Sequence, residues 1–462
     1  MSEVRSADGI EFPAAASVLI IGAGAAGLCA ALAAAEAGAQ PVVLERDAVP
    51  SGSTAMSAGL IPAAGTRFQR IAGIEDNPAL FAADIMRKAK SEADSAIVDA
   101  VANGSGPLLE WLADRFAFPF DVVAEFNYPG HSALRMHGLP TRTGAELSNR
   151  LRSAVEMLGV PILTGSTVSA LFADREGHIR GVEVLRSGET ELIGCGALVL
   201  ACSGFGGNSD LVRRHIPEMA DALYFGHSGN RGDAILWGEA LGARFAHLSA
   251  YQGHGSVATP HNILITWAVM MEGGFQINTE GRRFSNETRG YSEQAAIVLG
   301  QPGGMAFNVF DARIAAVARQ FQDFRDAESA GAFVVAESIE QLAAHIRVPG
   351  ESLVAEMQEV ARLKQQRARD RFGRDFAHAP PLLPPFIAVK VTGALFHTQG
   401  GLAVDDNARV LRAAGGKFSN LFAAGGAAAG VSGSSAEGYL SGNGLLTATV
   451  LGNLAGCAAS RE

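Results

Sequence analysis

The chain has 462 residues, of which 48% are hydrophobic and 18% charged, and its formal net charge is −10. This length predicts two packed domains. The negative charge, without a run of basic residues, disfavours nucleic acid as a partner.

The N-terminus and the cysteines bear on location, membrane spans and metal sites. Residues 1–12 are polar and contain no apolar signal segment, and glycines interrupt the Ala-rich stretch that follows. We therefore expect no membrane span and a cytoplasmic location, while the oligomeric state stays open. The four cysteines have neither CxxC nor metal-ligand spacing, so we expect reduced core thiols and no metal site.

Residues 16–45 predict a strand, a tight glycine turn, a helix and a second strand. Gly22, Gly24 and Gly27 form GxGxxG between the first strand and the helix, and Glu45 ends the second strand. Backbone N–H groups and the helix dipole in such a turn bind a pyrophosphate, and the acid binds ribose hydroxyls. The unit predicts a dinucleotide site, to which we add the neighbouring residues Ala25, Ala26 and Arg46.

Further along the chain, composition predicts the domain organisation. Strand-like segments over 160–200 lead into a second glycine turn, whereas residues 251–385 favour longer polar helices. The segment 386–462 returns to Gly- and Ala-rich sequence and ends in a helix. We expect an α/β fold in which a Rossmann-like domain, 1–250 and 386–462, carries an inserted α+β domain at 251–385.

Six segments then give a family resemblance, which spans nearly the whole chain in order. The chain resembles the fumarate reductase and succinate dehydrogenase flavoprotein superfamily at SGSTAMSAG (51–59), LVLACSGFGGN (198–208), GNRGDAILWG (229–238), INTEGRRFSNE (277–287), FHTQGGLAVDD (396–406) and NLFAAGGAAAGVSG (420–433). The glycine motif alone does not separate NAD from FAD, because both contain ADP. The resemblance implies FAD, a glutathione-reductase type FAD-binding domain, and a substrate-binding or capping domain inserted in it.

The resemblance also implies the cofactor contacts. Ser53 and Thr54 occupy the loop in which membrane-bound relatives tether FAD through histidine, so we expect non-covalent FAD. Gly425 and Gly426 replace the acid that usually contacts the ribityl chain. The other implied cofactor residues are Ser51, Gly52, Ser57, Ala58, Gly59, Val168, Ala201, Ser203, Gly204, Asn208, Gly232, Asp233, His397, Gly442, Asn443 and Leu445.

The catalytic positions depart from the fumarate reductase pattern. Tyr439 stands where that family has an arginine in its last segment, and Tyr291 stands where it has the proton-donating arginine. Trp267 and Met270 align with its proton relay. These tyrosines resemble the 3-ketosteroid dehydrogenase branch, and the order Tyr439, Leu440, Ser441 is similar to the branch that oxidises 4-ene positions of 5α-reduced ketosteroids. The resemblance implies Tyr291 as the proton-transfer residue, with Tyr439 and Ser441 as enolate-oxygen donors or a relay to solvent.

Desaturation beside a carbonyl needs a base for the α-proton, a hydride acceptor, and donors to the enolate oxygen. Tyrosine, with an ordinary pKa near 10, acts as a base only when a cation or a helix N-terminus stabilises its phenolate. Arg283 and Arg289 are close to Tyr291 in sequence. We expect the substrate-binding residues to be His254, Tyr251, His397 and Arg289, with Tyr251 one helical turn away from His254.

The sequence therefore predicts an FAD-dependent enzyme that desaturates a cyclic, apolar ketone and passes its electrons to an external acceptor. One alternative is a fumarate-reductase-like enoate reductase, in which Arg135, Arg283 or Arg289 binds the substrate carboxylate. A second alternative is a non-catalytic flavoprotein, a scaffold or sensor that keeps FAD.

Overall fold

The computed structural model describes residues 3–124, 127–377 and 379–462. The chain divides into two compact units: unit 1 comprises 1–220, 226–251 and 397–462, and unit 2 comprises 221–225 and 252–396. Strands and helices are numbered in chain order through both units.

Unit 1 is built on a nine-stranded sheet, in which the central strand β2 pairs in parallel with β3 and β10. The apolar run VLII of β2 is buried on both faces, as is usual for a central parallel strand. The strand order is β1-β8-β9-β10-β2-β3-β7, β21 also pairs with β10, and β20 pairs with β21. The strands are β1 (Glu3–Ser6), β2 (Ala14–Ile21), β3 (Pro41–Leu44), β7 (Ile162–Leu163), β8 (Ser166–Ala173), β9 (Ile179–Arg186), β10 (Glu189–Leu200), β20 (Arg409–Leu411) and β21 (Lys417–Ala423).

Two Ala- and Gly-rich helices pack closely beside this sheet. In α14, a Cβ at Gly452 or Gly456 would lie 2.3 or 2.2 Å from a carbonyl oxygen of α1, so only glycine permits this approach. The helices of unit 1 are α1 (Ala25–Glu36), α2 (Arg67–Ile71), α3 (Pro78–Lys88), α4 (Ser95–Phe116), α5 (Gly144–Met157), α6 (Ser209–His215), α7 (Asp233–Leu241) and α14 (Asn443–Ala459). Its smaller sheets contain β4 (Ile61–Pro62), β5 (Asp121–Val122), β6 (Met136–Gly138), β12 (Phe245–Ala246) and β19 (Gly401–Leu402).

Unit 2 contains a seven-stranded sheet with the order β14-β13-β18-β16-β15, and both β11 and β17 also pair with β18. The strands are β11 (Leu223–Tyr224), β13 (Tyr251–Ala258), β14 (Ile263–Leu264), β15 (Phe275–Ile277), β16 (Met305–Asp311), β17 (Phe333–Ala336) and β18 (Phe386–Thr398). The helices are α8 (Ala268–Met271), α9 (Tyr291–Leu299), α10 (Ala312–Ala318), α11 (Gln322–Ser329), α12 (Ile339–Ile346) and α13 (Gly350–Gln366).

The α/β fold and the first βαβ unit are confirmed, since β2, α1 and β3 fall where the pattern placed them. The unit boundary differs from the expected one at 385. Composition assigned 386–396 to the first domain, but β18 pairs there with β16 and β17, which holds this segment in unit 2. In the described part of the chain, no helix combines the length and the apolar character needed to cross a membrane.

Candidate active site

The predicted glycine turn follows β2 in unit 1. Gly22 has φ +107°, and a Cβ there would lie 2.4 Å from the carbonyl oxygen of Ala201. A Cβ at Gly27 would lie 1.9 Å from the carbonyl oxygen of Gly22, so the helix can approach the turn only with glycine here. Gly24 is the N-cap of α1 and has no side chain to accept from the first-turn N–H groups. This helix end therefore retains N–H donors for an anion.

The acid and the Ser-rich loop lie beside this turn. Glu45 accepts hydrogen bonds from the N–H groups of Ala23, at 2.8 Å, and Asp47, at 2.9 Å. Thr54 Oγ1 accepts from the N–H of Ala25 at 2.9 Å, and Ser57 Oγ donates to the carbonyl of Thr54. The loop 51–59, which contains the predicted residues Ser51, Gly52, Ser53, Ala58 and Gly59, is thus fixed over the start of α1.

The second glycine segment also lies in unit 1, near the carboxyl end of β10. Ser203 adopts a positive φ, and a Cβ at Gly204 would lie 2.0 Å from Thr398 Oγ1. Asn208 caps α6 by accepting from two of its N–H groups, and Gly232, with φ +81°, caps α7. These predicted cofactor residues therefore determine the local backbone conformation, through a positive φ or by capping a helix. Arg46 donates to the carbonyl of Gly229, Val168 is half-buried on β8, and Asp233 lies in the first turn of α7.

A second helix N-terminus lies at α14. Its N-cap is Gly442, with φ +86°, and a Cβ there would lie 2.6 Å from Pro62. Asn443 is fully buried, and within the described part of the chain its Oδ1 has no hydrogen-bond partner. A buried acceptor without a donor is costly, and a flavin N–H or ribityl hydroxyl would supply a donor. Gly425, Gly426 and Leu445 lie in the same region: Gly425 approaches Ala26, Gly426 approaches Gly204, and Leu445 is in the first turn of α14.

His397 also belongs to unit 1, where it packs edge-on against Tyr439 with ring centroids 5.7 Å apart. Burial lowers the pKa of His397 to about 4, so this histidine is neutral at physiological pH. The structure therefore brings a neutral imidazole and a buried phenol together in this unit.

A buried ionic group supports Ser441. His131 Nε2 donates to the carbonyl of Ser441 at 2.9 Å, and Arg135 Nη1 donates to His131 Nδ1 at 3.2 Å. Arg135 also pairs with Asp76, at 2.8 Å, and with Asp84, and its side chain is completely buried. Burial acts to raise the pKa of Asp84, but hydrogen bonds from Ser132 and the arginines lower it to about 2. This arginine is therefore fully engaged and is not placed to bind a substrate carboxylate.

In unit 2, four aromatic rings form one stack. His254 stacks on Tyr291, with centroids 4.9 Å apart, and on Phe396, at 5.5 Å. Phe396 in turn stacks on Phe225 at 4.9 Å. The indole of Trp267 meets His254 edge-on at 5.5 Å. This aromatic stack, defined by Phe225, Phe396, His254 and Tyr291, is an apolar surface suited to a flat ring.

Tyr291 is the first residue of α9 and follows a buried charge cluster. Glu287 accepts from Arg283 at 2.8 Å and from Arg374 at 2.9 Å, and Arg283 also pairs with Asp370. Arg283 is therefore neutralised by two carboxylates, which corrects the expectation that it supplies a cation to Tyr291. Arg289 is exposed.

The expected secondary structure around Tyr251 also needs correction, because its segment is a strand and not a helix. Tyr251 and His254 are three residues apart on β13, and side chains at odd spacing project from opposite faces of a strand. The expectation of a helical turn joining them was therefore wrong. Tyr251 is 1% exposed.

The chain matches the FAD binding domain family over residues 17–445. It belongs to this family. It is 28% identical to a probable fumarate reductase of Shewanella frigidimarina over 449 residues, covering 96% of this chain and 75% of that protein.

Two solved structures are similar. One is the open conformation of a flavocytochrome c3 fumarate reductase, with TM-score 0.82, 27% identity, and 98% of this chain and 79% of that chain covered. The other is a 3-ketosteroid-Δ4-(5α)-dehydrogenase of Rhodococcus jostii, with TM-score 0.79, 24% identity and complete coverage of both chains. The similarity to the Rhodococcus structure, at 24% identity, shows a common fold.

The protein is thus an FAD-dependent oxidoreductase of the fumarate reductase and succinate dehydrogenase flavoprotein superfamily. Its residues fit the cofactor: the glycine-capped start of α1 suits the pyrophosphate, Glu45 the ribose, and the orphaned Asn443 Oδ1 a donor on the flavin or ribityl chain. Bound FAD supplies a two-electron hydride acceptor.

Three residues that hydrogen-bond to predicted site residues were not predicted, namely His131, Gln399 and Ser432. Two rings of the aromatic stack, Phe225 and Phe396, were not predicted either. Gln399 and Ser432 lie in segments that carried the family resemblance. No local signal distinguishes them.

Proposed function

We propose that the protein desaturates the carbon–carbon bond next to the carbonyl group of a cyclic, largely apolar ketone. The substrate class is the one that the Rhodococcus structure names, a 3-ketosteroid. The observation that carries this proposal is the aromatic stack around Tyr291.

The stack favours an apolar ring over a small dianion. His254 is buried, and burial lowers its pKa to about 3, so it contributes an uncharged ring. Trp267 directs its indole N–H to the carbonyl of Glu287 at 3.1 Å, so it presents a hydrocarbon edge to the other rings. An uncharged aromatic surface gains free energy by covering apolar area and offers no counter-charge to carboxylates.

The buried arginines also favour an apolar substrate over a carboxylate. Arg135 and Arg283 each pair with two carboxylates in the protein, and both side chains are at most 2% exposed. Binding a substrate carboxylate would require breaking these buried pairs, which costs about 3 to 5 kcal/mol.

In the proposed reaction, the phenolic oxygen of Tyr291 takes the proton from the carbon next to the carbonyl. Its place as the first residue of α9 favours the phenolate, because the positive end of a helix stabilises negative charge. The family resemblance implies the hydroxyl groups of Tyr439 and Ser441 as hydrogen-bond donors to the enolate oxygen.

The β-carbon loses a hydride, the double bond forms, and two electrons leave with that hydride. An external electron acceptor then reoxidises the enzyme.

An anaerobic absorbance titration tests the proposal. Purified holoprotein is mixed with saturated cyclic ketones, including 5α-reduced 3-ketosteroids, and the flavin band is followed. Bleaching by a ketone, with formation of the enone, is the expected result. A flavin that no ketone bleaches would overturn the proposal.

The second candidate is a fumarate-reductase-like enoate reductase, which the Shewanella relatives favour. The dithionite-reduced protein is therefore mixed with fumarate, urocanate and acrylate in the same experiment. Reoxidation by one of these, without a ketone response, assigns the enzyme to this class. A flavin that responds to neither set identifies a non-catalytic flavoprotein.

A further inference from the structure

Four polar side chains of unit 1 form one continuous chain of hydrogen bonds. Asn443 Nδ2 donates to Ser432 Oγ at 3.2 Å, and Ser432 Oγ donates to Gln399 Oε1 at 2.8 Å. Gln399 Nε2 then lies 3.1 Å from His397 Nδ1. Asn443, Ser432 and Gln399 are all at most 5% exposed.

The direction of this chain determines the tautomer of His397. The Ser432 hydroxyl has one proton, and it is donated to the Gln399 oxygen, so the amide nitrogen of Gln399 faces the imidazole. An amide nitrogen only donates, which makes His397 Nδ1 the acceptor at 3.1 Å. The carbonyl oxygen of Thr398, which would need a proton on Nδ1, lies farther away at 3.4 Å. In a neutral imidazole the single ring proton is then on Nε2.

We propose that Gln399 is a positioning residue that, held by Ser432 and Asn443, fixes His397 as the Nε2–H tautomer and presents this N–H to the flavin at the start of α14.

The packing of His397 shows where its Nε2 lies. A Cβ at Gly444 would lie 2.8 Å from His397 Cε1 and 2.9 Å from Nε2, so the Nε2 edge of the ring rests on the first turn of α14. This helix end has a glycine N-cap and positive dipole character, which disfavours an imidazolium. Burial also keeps the ring neutral.

Nitrogen NMR of the holoprotein, labelled with ¹⁵N-histidine, tests the tautomer directly. The His397 resonances are assigned by their loss in His397→Gln. We expect an unprotonated Nδ1 and a protonated Nε2 at pH 7. A protonated Nδ1 in the wild-type protein would overturn the proposal, and this result needs no variant of Gln399 to fold.

Variants of Gln399 test the positioning role. Gln399→Leu removes the donor to Nδ1, so we expect a mixture of tautomers. Gln399→Glu offers a carboxylate acceptor instead, so we expect the proton to appear on Nδ1. Gln320→Leu, the same substitution at an exposed site in unit 2, is the matched control and should leave the His397 resonances unchanged.

The midpoint potential of bound FAD provides a second readout. Loss of an Nε2–H donor should lower this potential in Gln399→Leu, and the added negative charge should lower it further in Gln399→Glu. Ser432→Ala should shift it in the same direction by a smaller amount. Wild-type potentials in all three variants, each with full FAD content, would overturn the assignment of this donor to the flavin.

Discussion

The imidazole of His254 lies nearly parallel to the phenol ring of Tyr291, with an interplanar angle of 22° and 4.9 Å between centroids. Burial lowers the pKa of His254 to about 3, and its Nδ1 accepts from the N–H of Ser256 at 3.2 Å. This histidine therefore orients Tyr291 as an uncharged ring. In the proposed reaction, the N-terminus of α9 would help to stabilise the phenolate of Tyr291.

The first prediction concerns the phenolic oxygen of Tyr291. Tyr291→Phe keeps the ring in the stack but removes the proposed base, so the rate of flavin reduction by a ketone should fall by about 10²- to 10⁴-fold. Stopped-flow absorbance at the flavin band measures this rate.

FAD content and melting temperature should stay at the wild-type values in this variant. Tyr224→Phe, the same deletion on β11, is the control and should be reduced at nearly the wild-type rate. Unchanged flavin reduction in Tyr291→Phe would remove the tyrosine from the proposed mechanism.

The second prediction concerns the charge cluster that precedes Tyr291. Glu287→Gln leaves Arg374 and Arg283 without their shared buried carboxylate, so the free energy of unfolding should fall by about 3 to 5 kcal/mol. Chemical denaturation followed by circular dichroism measures the change. Glu328→Gln, which breaks the exposed pair with Arg319, is the matched control and should have little effect.

The ion pairs of Glu287 should make the folded protein less stable in acid. Burial acts to raise its pKa, but Arg283 and Arg374 lower it to about 2. The stabilisation is therefore complete above about pH 4.5 and is lost as the pH falls towards 2. Equal loss of stability over this range in wild type and Glu287→Gln would contradict this assignment.

The third prediction concerns Arg135, which supports Ser441 through His131. Arg135→Met removes the cation that pairs with buried Asp76 and one of the two arginines that pair with Asp84, so the free energy of unfolding should fall by about 3 to 5 kcal/mol. Arg362→Met removes an exposed pair with Glu359 and should change the denaturation midpoint little. Similar midpoints for the two variants would show that Arg135 is not a structural cation.

Part of this architecture could be predicted from the sequence because it is local. The turn at Gly22 and Gly27 lies between adjacent elements, and a strand, a helix and an acid in register specify it. By contrast, 310 residues separate His131 from Ser441, and no sequence pattern joins them.

The aromatic stack in unit 2 could not be predicted for the same reason. Its rings come from four separate segments, and the pairing of β11 with β18 brings Phe225 to Phe396. The unit boundary was misplaced because the long-range pairing of β18, and not its local composition, decides where this segment belongs.

The fourth prediction concerns His137, a buried histidine of β6 outside the proposed chemistry. His137 Nδ1 donates to the carbonyl of Arg135 at 2.8 Å, and Thr66 Oγ1 donates to Nε2 at 2.8 Å. Both ring nitrogens are therefore satisfied in the neutral form. Burial lowers the pKa of His137 to about 4, whereas an unfolded histidine titrates near 6.5.

Below pH 6.5 the unfolded chain binds a proton that the folded protein does not accept until about pH 4. Stability therefore falls as the pH drops through this window, and by pH 5 this one histidine accounts for about 2 kcal/mol. His137→Gln should reduce the difference in unfolding free energy between pH 7 and pH 5 by that amount. The exposed His345→Gln should leave the difference unchanged. Parallel pH profiles for wild type and His137→Gln would mean that His137 already accepts a proton in the folded protein.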